Sequence, residues 1–291
     1  MSDKLKNFIV RTISGAVLLL VILGAMWVGY FGYLALLFFI TLFGVTEFYS
    51  LAKAKGYEPQ RGLGLTLAIM VYLIGALVGL SFEYHILECL GLAVYPAILI
   101  VLLAGLIFFV EVFRNRTTPI ANVATTLAGV FYVAFPMALM PSLALMLAPS
   151  GQWSALHFLF YLFLVWGNDV FAYLAGVTMG RHKMCERLSP KKSWEGFAGG
   201  VLGSLAVGAL AACLLEQSYG VWMGMALVVS LTSVVGDLVE SMFKRDAGVK
   251  DSGKIMPGHG GILDRFDAFI LAAPFAFIYL LFVAVLININ Y

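Results

Sequence analysis

The 291-residue sequence is 62% hydrophobic and only 12% charged, with a formal net charge of +2 and a mean hydropathy of +0.97. A soluble domain carries about twice that share of charge, so the composition excludes an ordinary soluble fold and predicts a polytopic membrane protein with little chain outside the bilayer. No nucleic-acid partner is expected, and Cys89, Cys185 and Cys213 have no metal-ligand spacing and read as packing residues rather than a disulfide or zinc site.

The first apolar segment follows Lys4, Lys6 and Arg11 as a signal peptide would, yet it lacks a clear small-residue cleavage site and reads as a retained helix. About 20 apolar residues are needed to cross the hydrocarbon core. Nine spans meet that length: Thr12–Gly29, Phe31–Ala52, Leu65–Phe82, Gly91–Val112, Ile120–Leu147, Ala155–Met179, Gly196–Leu215, Tyr219–Phe243 and Phe266–Ile289. The first two are separated only by a tight turn at Gly29–Gly32, and the fifth is interrupted by Pro136 and Pro141, so eight spans is the rival count. Basic residues decide between them, because they concentrate in cytoplasmic loops. With the N-terminus inside and nine spans, all 18 Lys and Arg residues fall on the cytoplasmic side. The expected fold is therefore all-α: a transmembrane helical bundle of about nine spans, N-terminus cytoplasmic and C-terminus outside. Residues 1–150 read as N-terminal packing helices. Residues 151–291 read as the catalytic half, with cytoplasmic loops at 180–195 and 244–265.

Polar chemistry enters in the sixth span. Asp169 lies inside an apolar helix, where an ionisable group costs about 2.5–3.5 kcal/mol to insert and so faces a polar cavity by default. Asp169, Tyr173, Gly176 and Gly180 share one face, and that face leads into the cationic loop Arg181–Trp194. In that loop Ser189-Pro190 marks a turn, and Lys191 and Lys192 precede a helix start near Ser193 or Gly196, where an anion such as a di- or triphosphate can be received. The plainer alternative is contact with lipid headgroups. Gly196, Gly199, Gly200 and Gly203 read as a close helix contact.

The eighth span ends in a polar stripe of Asp237, Glu240, Ser241 and Lys244, in which Asp237 sits about 10 Å along the axis from Lys244. Glu240 can also be read as the i,i+4 partner of Lys244. After a loop with Lys250, the turn Gly258-His259-Gly260-Gly261 leads to Asp264, Arg265 and Asp267. Asp264 and Asp267 project from one side of the ninth helix, and with Asp237 they offer hard oxygen ligands suited to Mg²⁺. His259 reads as a turn residue that fixes the loop and meets phosphate, with metal ligand or general base as the alternative.

The run Ser241-Met242-Phe243-Lys244-Arg245, then Lys250-Asp251, then Pro257 to Asp267 resembles the signature of phosphatidate cytidylyltransferases, and Ser189–Gly196 and the segment Asp169–Gly180 are similar to that family as well. Ser193 stands where threonine is common in it. The resemblance implies transfer of a cytidylyl group from CTP to phosphatidate at the inner membrane, with the active site facing the cytoplasm. It implies a Mg²⁺ site at Asp237 and Asp264, with Asp169 and Asp267 as further ligands, and a second, monovalent cation such as K⁺. Lys244 and Arg245 join the catalytic group. Lys191, Lys192, Ser193, Lys250, His259, Gly260, Gly261 and Arg265 are the groups expected around the substrates, and a homodimer is left open. A lipid kinase using CTP or ATP and a cation-coupled transporter are the rival readings; the transporter needs no cytoplasmic Lys/Arg loop and would hold its charges nearer the midplane.

Overall fold

The structure, a computed structural model, describes residues 3–86 and 91–289, with side chains over 9–86 and 91–286. Cys89 and the side chains of Lys4 and Lys6 lie outside the described residues. Among the described residues nine helices are long and apolar enough to cross a membrane. They are α1 (Asp3–Trp27), α2 (Tyr30–Ala54), α3 (Arg61–Tyr84), α4 (Val94–Arg114), α5 (Pro119–Met146), α6 (Ala155–Met179), α7 (Trp194–Leu214), α8 (Tyr219–Asp246) and α9 (Leu263–Ile289). In lipid every backbone N–H and C=O must be satisfied within the segment, so long apolar runs close into helices. Their ends fall where polar residues take over: Pro119 opens α5 at a position that needs no N–H, and the Ser154 and Ser193 hydroxyls cap α6 and α7.

Two details depart from the expected plan. The fifth span stays one helix, but it passes through a π-helical turn at Val130–Ala134 just before Pro136. Proline lacks the N–H that would bond four residues back and its ring clashes there, so the wider turn accommodates both. The loop at 180–195, expected without regular structure, forms an antiparallel hairpin of β1 (Lys183–Cys185) and β2 (Ser189–Ser193), with Lys183 opposite Ser193 and Cys185 opposite Ser189. It is a small addition to an otherwise all-helical chain.

Packing groups the chain into two compact units. One comprises the chain up to Ser142 together with Phe243–Phe266; the other comprises Leu143–Met242 and the chain from Asp267 onward. Residues 243–266 fall with the N-terminal helices. The reason lies in side chains: Phe243 stands edge-on to Phe48 and Tyr132, with ring centres 5.5 and 5.2 Å away, and Lys55 pairs with Asp246 at 2.7 Å.

The first unit is centred on α2. Buried tyrosines there and on α3 tie helices together through hydroxyl donors: Tyr33 to the Met140 carbonyl (2.9 Å), Tyr49 to Thr126 (2.8 Å) and Tyr72 to Leu34 (2.6 Å). Interhelical hydrogen bonds and close packing do in lipid what hydrophobic contrast does in water. A second tie surrounds buried Glu111, which accepts from Gln60 (2.7 Å), Asn122 (2.8 Å) and Arg114 (2.7 Å).

In the second unit α6 lies against α7 along the glycines anticipated above. A Cβ at Gly199 or Gly203 would overlap Ala175 or Phe171. Buried Ser204 reaches the Leu164 and Ala226 carbonyls, and Asn168 donates to Ser233 at 3.1 Å, joining α6, α7 and α8.

Candidate functional site

In the second unit the face of α6 that carries Asp169 opens on a cavity of about 490 Å³. Asp169, Tyr173 and Gly176 form one wall; Lys191, Lys192 and Ser193 of the hairpin form another; Val234 and Asp237 of α8 complete it. The hairpin is held by Glu195 at the first turn of α7, whose carboxylate accepts from the Arg181 and His182 N–H groups (3.1 and 3.2 Å) and meets His182 Nδ1 at 2.6 Å. Ser193 spends its hydroxyl as the α7 cap, accepting the Gly196 N–H at 3.1 Å. Lys191 is exposed at the rim, whereas Lys192 turns inward, with Nζ 2.5 Å from Asp237 Oδ2 and 3.4 Å from the Val234 carbonyl.

Asp237 also belongs to a carboxylate cluster. One oxygen each from Asp237, Glu240 and Asp267 lie within 4.8 Å of one another, and Glu240 and Asp267 are buried. Helical spacing explains the first two: three residues apart on α8, they share a face. Asp267 comes from the second turn of α9, whose backbone approaches α8 at Gly236; a Cβ there would overlap the Asp267 carbonyl. Carboxylates that close repel by about 3–4 kcal/mol per pair at an effective dielectric near 20. A cation among them relieves that repulsion, and all-oxygen ligands in this number fit a hard divalent ion that takes its remaining ligands from water and substrate.

In the first unit, the segment after α8 folds into a tight loop. Gly258 and Gly260 adopt positive φ (75° and 84°), a backbone region that favours glycine, and the Met256 N–H closes the turn on the Gly260 carbonyl at 2.9 Å. Asp264 organises this loop. Its Oδ1 takes Lys244 at 2.7 Å, and its Oδ2 accepts from the N–H groups of Ser252 (2.8 Å) and Gly261 (2.7 Å) and lies 2.8 Å from the Ser252 hydroxyl. Lys244 thus forms an ion pair with Asp264 across the loop. His259 sits with Nδ1 2.5 Å from the Ser14 hydroxyl, and Arg11 donates to the Gly258 carbonyl at 2.9 Å. Burial first, then the charges of Arg265 and Arg11, push the His259 pKa down, favouring the neutral ring. Arg265 donates to the His259 carbonyl at 3.1 Å; Arg245, with one contact to the Val249 carbonyl at 3.4 Å, and Lys250 are exposed.

Sequence reasoning did not single out Glu47, Ser252, Arg11 or Ser14 as site residues, and it placed Glu240 in the polar stripe of the eighth span without assigning it to the metal. For Glu47 the signal was present: it is a charged residue inside an apolar span.

The fold makes the chain an integral membrane protein, and its cavity gathers the lysines and carboxylates that enzymes use on phosphate esters. The description of the cytidylyltransferase family matches residues 9–283, and the chain belongs to that family. It is an enzyme, a nucleotidyltransferase. A phosphatidate cytidylyltransferase of Synechocystis sp. is 32% identical over 273 residues, covering 84% of this chain and 87% of that protein. Phosphatidate cytidylyltransferases of Staphylococcus aureus and Staphylococcus haemolyticus are 51% and 47% identical over 122 residues, a match that spans 41% of this chain and 47% of theirs.

Proposed function

We propose that the protein transfers the cytidylyl group of CTP to phosphatidate, forming CDP-diacylglycerol and pyrophosphate, with Mg²⁺ held by Asp237, Glu240 and Asp267. The observation that carries this reading is Asp237 itself, which belongs both to the carboxylate cluster and to the wall of the lysine-lined cavity. Membership in the cytidylyltransferase family and the names of the relatives support the substrates.

In the reaction a phosphate oxygen of phosphatidate forms a bond to the α-phosphorus of CTP as the bond from that phosphorus to the bridging oxygen breaks, and pyrophosphate leaves with the bond electrons. Both reactants are anions, so the protein must suppress their repulsion and stabilise charge on the leaving group. Lys192, poised on Asp237 at the cavity wall, and Lys191 at its rim supply fixed positive charge for that purpose. The nucleophile is already ionised at neutral pH, so no general base is needed, in keeping with a ring at His259 that serves the loop. When bound, Mg²⁺ screens phosphate charge and polarises phosphoryl oxygens.

Asp169, expected as a ligand, lines the same cavity as Asp237 and is the carboxylate proposed for a monovalent cation beside Mg²⁺. Asp264 has its oxygens engaged by Lys244, two loop amides and the Ser252 hydroxyl, and its proposed role is to set the loop. The loops face the cytoplasm and the protein resides in the cytoplasmic membrane, a reading supported by the one-sided distribution of lysine and arginine.

CTP labelled on its α-phosphate tests the proposal. Purified protein with Mg²⁺ and phosphatidate is expected to move the label into the lipid fraction and release pyrophosphate. Label that stays in water while γ-label enters lipid would identify a kinase and overturn it.

A further inference from the structure

Glu47 lies in α2, 4% exposed, the one acidic residue in that helix. A carboxylate placed there carries an insertion cost that some interaction must offset. Its two oxygens face the start of α9: Oε1 accepts the Ile262 N–H at 3.0 Å and Oε2 accepts the Leu263 N–H at 2.8 Å. The opening amides of a helix have no partner within it, and here a residue more than 200 positions earlier in the chain supplies one. Negative charge at this end also complements the helix dipole.

The same carboxylate reaches the rest of the loop. The Ser252 hydroxyl stands 3.1 Å from Glu47 Oε2 and 2.8 Å from Asp264 Oδ2, and its single proton serves one of them at a time. The backbone closes tightly on this point: a Cβ at either Gly253 or Gly261 would overlap the Glu47 carboxylate. Those two glycines are therefore matched to Glu47, as Gly258 and Gly260 are matched to the turn.

We propose that Glu47 is the positioning residue of the Ser252–Leu263 loop: its carboxylate fixes the start of α9 and, through Ser252, the orientation of Asp264. It touches no substrate in this role and acts through the backbone amides and Asp264. The activity readout of this inference rests on the cytidylyl transfer proposed above; the structural readout does not.

The test compares full-length wild-type protein with Glu47→Gln in detergent. Glutamine keeps the shape but turns an NH₂ group towards one of the two amides. Hydrogen–deuterium exchange over residues 252–263 is expected to quicken by at least about tenfold, with the other helices unchanged. Turnover per folded protein falls by about 100-fold, a loss typical of misplaced groups, while KM for CTP stays within about threefold. Unchanged exchange in the loop overturns the proposal whether or not the wild type converts CTP. Faster exchange with unchanged kcat overturns it as well, because the loop would then be held without effect on the chemistry. If wild type itself releases no pyrophosphate, the reaction assignment fails and the exchange result alone decides the clamp. Should Glu47→Gln not fold, Ser252→Ala leaves the amide contacts intact and cuts only the link to Asp264. It is expected to lower kcat with KM unchanged, and an unchanged kcat would overturn the link.

Discussion

Two groups of carboxylates in this chain are built in opposite ways. Asp264 is surrounded by donors: an ammonium, two backbone N–H groups and a hydroxyl converge on its two oxygens. Asp237, Glu240 and Asp267 are gathered with one oxygen of each within 4.8 Å of the others, and Lys192 lies 2.5 Å from Asp237. A carboxylate satisfied by donors holds backbone in place. Carboxylates gathered this closely form a candidate metal centre, and that sets them apart from the loop lock at Asp264.

The comparison is sharpened most by substitutions in the cluster. Asp237→Asn should lower pyrophosphate release by more than about 100-fold and raise the Mg²⁺ concentration needed for half-maximal rate. Its unfolding midpoint in metal-free detergent should not fall, because neutralising Asp237 relieves repulsion within the cluster. A large drop in midpoint would place Asp237 with the lock.

Lys244→Met should do the reverse. It takes the ammonium away from Asp264, which is 4% exposed in its side chain; removing one partner of a buried pair costs about 3–5 kcal/mol. A fall in unfolding midpoint of about 10 °C is expected. The double variant Lys244→Met/Asp264→Asn should recover part of that loss, and strict additivity would show that the pair is not coupled.

How much of this could be read in advance follows from what each feature depends on. The spans were legible because crossing a bilayer demands length and apolarity, which are local properties. The tight α6–α7 contact was legible in the glycine spacing, and Asp169 and Asp237 stood out as charges inside helices. The hairpin was not, since strands of three and five residues carry too little alternation to register. The ion pair of Lys244 with Asp264 was not legible, because Asp264 arrives through a loop closure that no local pattern encodes. Glu47 was visible as a charge inside an apolar span, but its role was not, since its partners lie 205 to 216 residues away.

The smallest expected effect concerns His259. Its folded-state pKa lies below the ordinary value of about 6.5, owing to burial and to Arg265 and Arg11. The unfolded chain therefore binds the proton more readily, so this contribution to stability is present above the unfolded pKa and is lost as pH falls through the folded one. Between pH 7.5 and 5 the unfolding midpoint of wild type should fall more than that of His259→Gln. Equal slopes would remove the histidine from the account of the loop.

The central claim is that the cation belongs to Asp237, Glu240 and Asp267, and Mn²⁺ binding followed by electron paramagnetic resonance tests it directly. Wild-type protein and Asp264→Asn are expected to bind the ion, and Asp237→Asn is expected to lose it. Binding that survives Asp237→Asn and disappears in Asp264→Asn would contradict the account.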